Sequence, residues 1–382
     1  MDIKIPDYVD TILHTLKQSG FESFVVGGCV RDVLMGKTPA DWDICTAAKP
    51  EQIKAAFSGY KTIDIGMKHG TVAVLTSGGP LEITTYRIDG AYLDNRHPEK
   101  VEFTSNLTED LARRDFTMNA MAYHPEAGLR DPFAGQKSIA DGLIQCVGEP
   151  ARRFEEDSLR ILRGLRFAAV LGFQIEKESA AAMRKCADLT KKVSAERVNV
   201  ELSKLVMGDW ADEILTDFEE VIKTAAPGFQ AAPVNNVPRL LPVRLALLFP
   251  EDTGTTLRRL KYDNDTIKTA AALSALMKET QPEGNLAIKK LLCSRGEEVT
   301  RMYFKTLGRL PELEEILQSG QCYSIRQLAV SGVDLLKAGM PPGKKIGEIL
   351  ERLLQLVMED KVENEKEQLL READNVMKDE RN

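Results

Sequence analysis

In "PADWDICT", residues 39–46, two aspartates one position apart interrupt a short apolar run of β-type residues. On a strand, residues i and i+2 point to the same side, so Asp41 and Asp43 converge while Trp42 and Ile44 turn away. Two like charges that close repel, and a cation between them removes the conflict. An all-oxygen pair suits Mg²⁺, which is commonly held by one or two carboxylates plus substrate phosphates. The same spacing also describes an edge strand with its acids in solvent, so the neighbouring motifs decide.

Upstream, "FVVGGCVRD" (24–32) reads as a strand that feeds a glycine pair and then a helix. Free backbone N–H groups at Gly27, Gly28 and the residues after them suit a phosphate, and Arg31 adds a forked donor beside Asp32. A phosphate cradle followed by a paired-carboxylate strand describes a site for a nucleoside triphosphate with metal ions in an in-line displacement. Such chemistry usually has a third carboxylate, and Glu82 in "LEITTYR" is the candidate on a neighbouring strand. A surface acid on an edge strand is the competing reading.

At 382 residues the chain is long enough for two or three domains, and 43% hydrophobic with 29% charged residues is ordinary soluble composition. It contains no apolar run of membrane-spanning length, and "MDIKIPDYVD" lacks signal-peptide features, so a cytoplasmic protein is expected. The six cysteines (29, 45, 146, 186, 293 and 322) are scattered and suggest neither a disulfide framework nor a zinc site. All four histidines (14, 69, 97 and 124) fall in the first third, which excludes an appended His-Asp phosphohydrolase module. A net charge of −7 argues against nucleic-acid binding through bulk basicity, though not against a local basic groove.

The first 150 residues mix helix and strand signals: an N-terminal amphipathic helix, "FESFVVGG", "CVRDVLMG", "DWDICT", "GTVAVLT" and "LEITTYR". From "RRFEEDSLRILRGLRFAAVLGF" (152–173) onward, leucine, alanine and charge recur at helical spacing. The fold class expected is α+β, a small mixed-sheet head followed by an all-helical remainder. Breaks are expected in "APGFQAAPVNNVPRLLP" (226–242) and "SGVDLLKAGMPPGKK" (331–345), and the final "MEDKVENEKEQLLREADNVMKDERN" reads as a charged, solvated helix.

In "TEDLARRDFTMNAMAY" (108–123), Arg114 would neutralise triphosphate charge, Asp115 would accept from a ribose hydroxyl, and Asn119 would cap or orient the loop. A helix start capped by Asp115 is the plainer alternative. "DPFAG" (131–135) reads as a turn closing the domain. In "EEDSLRILRGLRF" (155–167), Asp157 and Arg160 lie three apart on one helix face, with Leu159, Leu162 and Leu165 toward the core. They form either an intrahelical salt bridge or a pair that reads a base edge. A carboxylate acceptor beside a guanidinium donor complements an exocyclic amine next to a ring nitrogen, which passes cytosine and adenine and rejects guanine and uracil.

"GGCVRD", "DWDICT", "RRDFTMNAMAY", "DPFAG", "EEDSLRILRGLRF" and "SAERVNVEL" stand in the order and approximate spacing of class II tRNA nucleotidyltransferases, the bacterial CCA-adding enzymes, which the chain resembles strongly over residues 20–205. The resemblance continues more weakly near the end, and only helical character matches between about 210 and 320. It implies a nucleotidyltransferase head of the DNA polymerase beta superfamily (1–140), a neck that selects the base (141–205), a body (206–325) and a tRNA-binding tail (326–382). By the same resemblance Asp41 and Asp43 hold catalytic Mg²⁺, with Glu82 as third carboxylate, and Gly27, Gly28, Arg31 and Asp32 surround the triphosphate. Asp115 and Asn119 fall in the ribose motif, and Asp157 and Arg160 act as the amino-acid template, with Arg163 among the nucleotide-binding residues. The partners implied are CTP, ATP and the acceptor arm of tRNA.

"YRIDGAYLDNRHPEKVEF" (86–103) resembles the loop by which full CCA-adding enzymes switch from C to A, with Arg87, Asp94, Arg96 and His97 in place, and His97 is not expected to be catalytic. Arg152, Arg153 and Arg163, with Lys344 and Lys345, are candidates for tRNA phosphate contacts. The rival readings are a CC-adding or A-adding variant, a poly(A) polymerase of the same superfamily, and a silent RNA-binding module. The acidic balance and the intact loop lean against the poly(A) polymerase. The silent module predicts a lost metal pair, whereas both acids are present.

Overall fold

The structure, a computed structural model, describes residues 3–89 and 101–379. It divides into two compact units, residues 1–235 with 259–261, and residues 236–258 with 262–382.

The first unit opens with α1 (Asp7–Gln18), whose Val9, Ile12, Leu13 and Leu16 form one buried stripe at helical spacing. Asp7 and Asp10 in its first turn and Lys17 in its last complement the helix dipole. There follow β1 (Ser23–Val26), α2 (Gly28–Leu34), β2 (Asp43–Thr46), α3 (Pro50–Ala56), β3 (Thr62–Gly66), β4 (Thr71–Thr76) and β5 (Gly79–Thr85). After β6 (Arg87–Asp89), β7 (Val101–Phe103) and α4 (Leu107–Ala112), the chain returns to the sheet in β8 (Ala122–His124) and β9 (Gly128–Arg130). The seven-stranded sheet has the order β3-β4-β5-β2-β1-β8-β9. Its pairs are antiparallel except β2 with β5. The expected α+β head is therefore what folds.

Strand alternation sends Val25, Trp42, Ile44, Leu81 and Ile83 to one face, where they pack against α1 and α3. Phe24, Val26 and Cys45 go to the other, with Tyr86, Leu111, Ala120 and Ala122. The β6–β7 ribbon pairs separately; Asp94, Arg96 and His97, between its strands, lie outside the described residues.

The unit continues through α5 (Gly135–Ala140), β10 (Leu143–Ile144), α6 (Pro150–Glu156), α7 (Leu159–Leu171), β11 (Gln174–Ile175), α8 (Lys177–Lys185), α9 (Ala195–Val206), α10 (Ala211–Asp217) and α11 (Glu219–Ala225). Asp131 of "DPFAG" accepts from the N–H groups of Gly135 and Gln136 at 2.6 and 2.9 Å and so starts α5. Helices α10 and α11, in the stretch expected to open the body, belong to this first unit. A methyl group on Gly208, just past α9, would sit 2.3 Å from the carbonyl oxygen of Ala169 on α7. Gly208→Ala is therefore expected to cost about 1–3 kcal/mol by overpacking against backbone, a loss that urea unfolding would measure.

The second unit is helical: α12 (Leu241–Leu248), α13 (Thr253–Arg259, its last residue in the first unit), α14 (Asn264–Lys278), α15 (Gly284–Arg295), α16 (Glu297–Thr306), α17 (Leu310–Gln318), α18 (Gly332–Lys337), α19 (Lys344–Met358) and α20 (Lys366–Asp379). A core of Leu335, Leu353, Leu354, Leu369 and Ala373 joins α18, α19 and α20. Among the described residues no helix is long and apolar enough to cross a membrane.

Candidate active site

The single parallel pairing of the sheet places Asp43 of β2 directly beside Glu82 of β5. Since Ile44 and Ile83 face the helix-covered core, Asp43 and Glu82 emerge together on the opposite face, with Asp41 two residues before Asp43. Asp43 is exposed on this face, yet the protein mass behind its carboxyl, then the charges of Asp41 and Glu82, push its pKa up to about 6 against the pull of Arg114. A divalent cation would relieve this conflict. Among the described residues no three His, Cys, Asp or Glu side chains close around a metal site. Two carboxylates that leave further positions to phosphate oxygens and water fit a hard divalent cation.

Gly27 ends β1 with φ 83° and ψ −127°, a conformation side chains disfavour, and its N–H donates to the Met121 carbonyl at 3.1 Å. A Cβ there would lie 2.8 Å from Nη1 of Arg114. The glycine thus lets the Arg114 guanidinium approach the turn, beside Gly28 and within electrostatic reach of Asp43.

Behind the turn runs a buried polar chain. Arg31 donates through Nε and Nη2 to Oδ1 of Asp32 at 2.8 and 2.6 Å, and through Nη1 to Oδ1 of Asn119 at 2.8 Å. Asn119 donates to Oδ1 of Asp115 at 3.1 Å, as does the Phe116 amide at 2.8 Å, while Arg163 on α7 grips Oδ2 at 2.7–2.8 Å. Arg163 also lies 3.9 Å from Glu201 on α9, which pairs with Arg166 at 2.8 Å. The guanidiniums of Arg31, Arg163 and Arg166 all lie over the ring of Phe167, at 5.2, 5.5 and 4.0 Å. Burial alone would raise the Asp115 pKa, but Arg163, Asn119 and the amide hold it down at about 2.

Because its folded pKa is depressed, Asp115 contributes stability that is full above its unfolded value near 4 and is lost as pH falls through about 2, on the order of 2 kcal/mol. Asp115→Asn is accordingly expected to lower urea-unfolding stability at pH 7. The deficit should shrink between pH 4 and pH 2, and a deficit independent of pH would contradict the ion pair with Arg163.

The Arg160 amide donates to the Asp157 carbonyl at 3.0 Å, while the two side chains reach to different partners. The helix expected to run through "EEDSLRILRGLRF" is broken, with α6 ending at Glu156 and α7 starting at Leu159. Asp157 takes extended geometry (φ −141°, ψ 102°), accepts from the Leu159 amide at 3.1 Å and pairs with Arg197 of α9 at 2.8 Å. Arg160 instead donates to Glu156 at 2.9 Å and to the carbonyls of Arg153 and Arg113 at 3.1 and 2.8 Å. The intrahelical salt bridge is thus replaced by two separate anchors. Of the basic residues suggested for RNA, Arg152 and Arg153 both pair with Glu156.

Residues that sequence reasoning did not single out complete the site. Asp110 lies beneath Arg113 and Arg114, Glu156 holds Arg160, Arg197 holds Asp157, and Glu201 holds Arg166. Arg197 and Glu201 both sit in the quoted "SAERVNVEL", so the stretch was noticed without its acid and base being assigned.

Comparison with known proteins bears on the same segments. Residues 23–145 match the family described as Poly A polymerase head domain, residues 172–221 the RNA and SrmB-binding site of polymerase A, and residues 240–373 tRNA nucleotidyltransferase domain 2. The chain is 36% identical to a CCA-adding enzyme of Geobacillus kaustophilus, with 94% of each chain covered. It is 33% identical to one of Ligilactobacillus salivarius, with 96% of each covered. The crystal structure of the Bacillus stearothermophilus CCA-adding enzyme in complex with CTP superposes with a TM-score of 0.82 at 32% identity, covering 98% of both chains.

Proposed function

Since the chain belongs to the family of CCA-adding enzymes, nucleotidyltransferases that extend the tRNA 3′ end with C, C and A from CTP and ATP, we propose that its Asp41, Asp43 and Arg114 form the centre of that reaction. The observation that carries this is the parallel register of Asp43 with Glu82, one strand away from a glycine turn capped by Arg114.

Asp41 and Asp43 hold Mg²⁺, with Glu82 in support. Bound there, the metal would offset phosphate charge and favour the ionised 3′ hydroxyl. The turn at Gly27 and Gly28, with Arg31, Asp32 and Arg114, receives the triphosphate; Arg114 stabilises charge that grows on the departing pyrophosphate. Asp115 and Asn119 orient the ribose. The four acceptor positions of Asp115 are filled by Asn119, the Phe116 amide and Arg163, so a ribose hydroxyl displaces or shares one of them. Asp157 and Arg160 read the base edge from the joint between α6 and α7, and Arg163 keeps Asp115 ionised.

The neck (141–205), body (206–325) and tail (326–382) serve tRNA, gripping it by shape and phosphate contacts, and the protein works in the cytoplasm. The test is incubation with Mg²⁺ and a tRNA transcript ending at its discriminator base, with products resolved to one nucleotide. Two additions from CTP and three from CTP plus ATP are expected. A long tail from ATP alone, two additions with both nucleotides, or no incorporation would each overturn the assignment.

A further inference from the structure

Asp110 is the buried acid of the head whose surroundings the reaction scheme above leaves unused. It sits near the end of α4, with no exposure to solvent, and it is followed at i+3 and i+4 by Arg113 and Arg114. Its two oxygens are treated very differently. Oδ1 accepts from the backbone N–H of Arg87 at 3.2 Å and from Nε of Arg113 at 2.9 Å, and lies 2.8 Å from Nη2 of Arg113. Oδ2 is buried and, among the described residues, has no hydrogen-bond partner; Nη2 of Arg114 lies 3.6 Å from it. Nε of Arg114 is likewise buried and, among the described residues, without a partner.

Two buried, unsatisfied groups on neighbouring side chains are uncommon, since each forfeits a hydrogen bond it had in water. Here the arrangement has a direct consequence for Arg114. The saturated Oδ1 is committed to Arg113 and to the β6 backbone, so the carboxylate cannot swing. Oδ2 then attracts Arg114 by charge at a distance too long to take up its donors. Burial would neutralise Asp110, but Arg113 and Arg114 keep its pKa below the ordinary value, so the attraction persists at working pH. Arg114 is left aimed at the turn, with Nη1 2.8 Å from where a Cβ of Gly27 would be and with Nε, among the described residues, unpartnered.

We propose that Asp110 is a positioning residue for nucleotide capture: it holds Arg114 over the Gly27 turn without consuming its donors, so that the triphosphate receives them. The proposal rests on the reading of Arg114 as a triphosphate residue. Because triphosphate is common to both substrates, the contribution is independent of the base. This distinguishes it from a defect in Asp157 or Arg160.

The test measures KM and kcat for CTP and for ATP, on tRNA substrates ending at the appropriate nucleotide, for Asp110→Asn, Arg114→Ala and the double variant of the full chain, with tRNA affinity and thermal unfolding as checks of folding. Asp110→Asn is expected to raise KM for CTP and ATP alike by about tenfold, the worth of one hydrogen bond to a charged group. It should leave tRNA affinity within twofold and add little in the Arg114→Ala background. Should Asp110→Asn not fold, Asp110→Ser, whose smaller hydroxyl leaves room for water beside Arg113, gives the same readout. Unchanged KM values, an effect confined to one nucleotide, or full additivity with Arg114→Ala would overturn the role of Asp110 while leaving that of Arg114 standing. Unchanged KM values in Arg114→Ala itself would remove the triphosphate reading and this proposal with it.

Discussion

Asp43→Asn should abolish nucleotide incorporation, lowering the rate by roughly three decades or more, while tRNA binding stays near the original value. The magnitude follows from the several kcal/mol that metal-assisted charge stabilisation supplies, at tenfold for each 1.36 kcal/mol. The substitution keeps shape and removes only charge, so loss of activity without loss of fold isolates the electrostatic contribution. The same variant carries an opposite prediction for stability. In the protein without divalent cation, Asp43 titrates near pH 6 because desolvation, Asp41 and Glu82 disfavour its charge. A carboxyl whose folded pKa is raised costs stability as pH climbs through that range. Asp43→Asn should therefore unfold at a higher temperature than the original protein at pH 7 in the presence of a chelator, and the advantage should vanish near pH 4. A variant that incorporates nucleotides at more than a tenth of the original rate would rule out Asp43 as a metal ligand.

Asp157→Ala should relax base selection. A well-formed pair of hydrogen bonds to a base edge is worth about 1–3 kcal/mol of discrimination, so the preference for CTP over UTP, expressed as a ratio of kcat/KM values, should fall by about 5- to 150-fold. The structure adds a detail to this. Asp157 is held by Arg197 across to α9, and Arg160 by Glu156. Deleting Asp157 therefore leaves Arg197 unpaired as well, and some loss of stability accompanies the loss of selectivity. The two are separable, because a purely structural role would lower kcat/KM for CTP and UTP in proportion. An unchanged ratio would return Asp157 to that role.

Much of the head was legible because its signals are local. Alternation around "DWDIC" gives the strand and the face of its acids, and a glycine pair after an apolar run gives β1 and the turn. The fact that Glu82 lies beside Asp43 was only a candidate, since adjacency of β2 and β5 is a property of strand order, and nothing within either segment encodes it. The break at Asp157 was hidden for a similar reason. Leucines continue at helical spacing across it, but Asp157 turns extended and pairs with Arg197, forty positions away. Asp110 escaped notice because an acid followed by arginines at i+3 and i+4 reads as an exposed helical salt bridge; its burial depends on packing from β6.

The ion pairs that reach from the head into the helices also set an order on biosynthesis. Asp115 is completed by Arg163, Arg163 leans on Glu201, and Asp157 waits for Arg197. As the polypeptide leaves the ribosome, the strands of the sheet are all available once residue 130 has emerged. At that moment Asp115 is a carboxylate committed to an interior that lacks its cation, a costly arrangement for any partly folded chain. Nascent chains halted near residue 150 should thus stay loosely folded around this position and bind CTP poorly, whereas those extending past residue 201 acquire the full set of counter-charges. Competence to hold a nucleotide would then arrive abruptly about halfway through synthesis, as α9 closes onto α7.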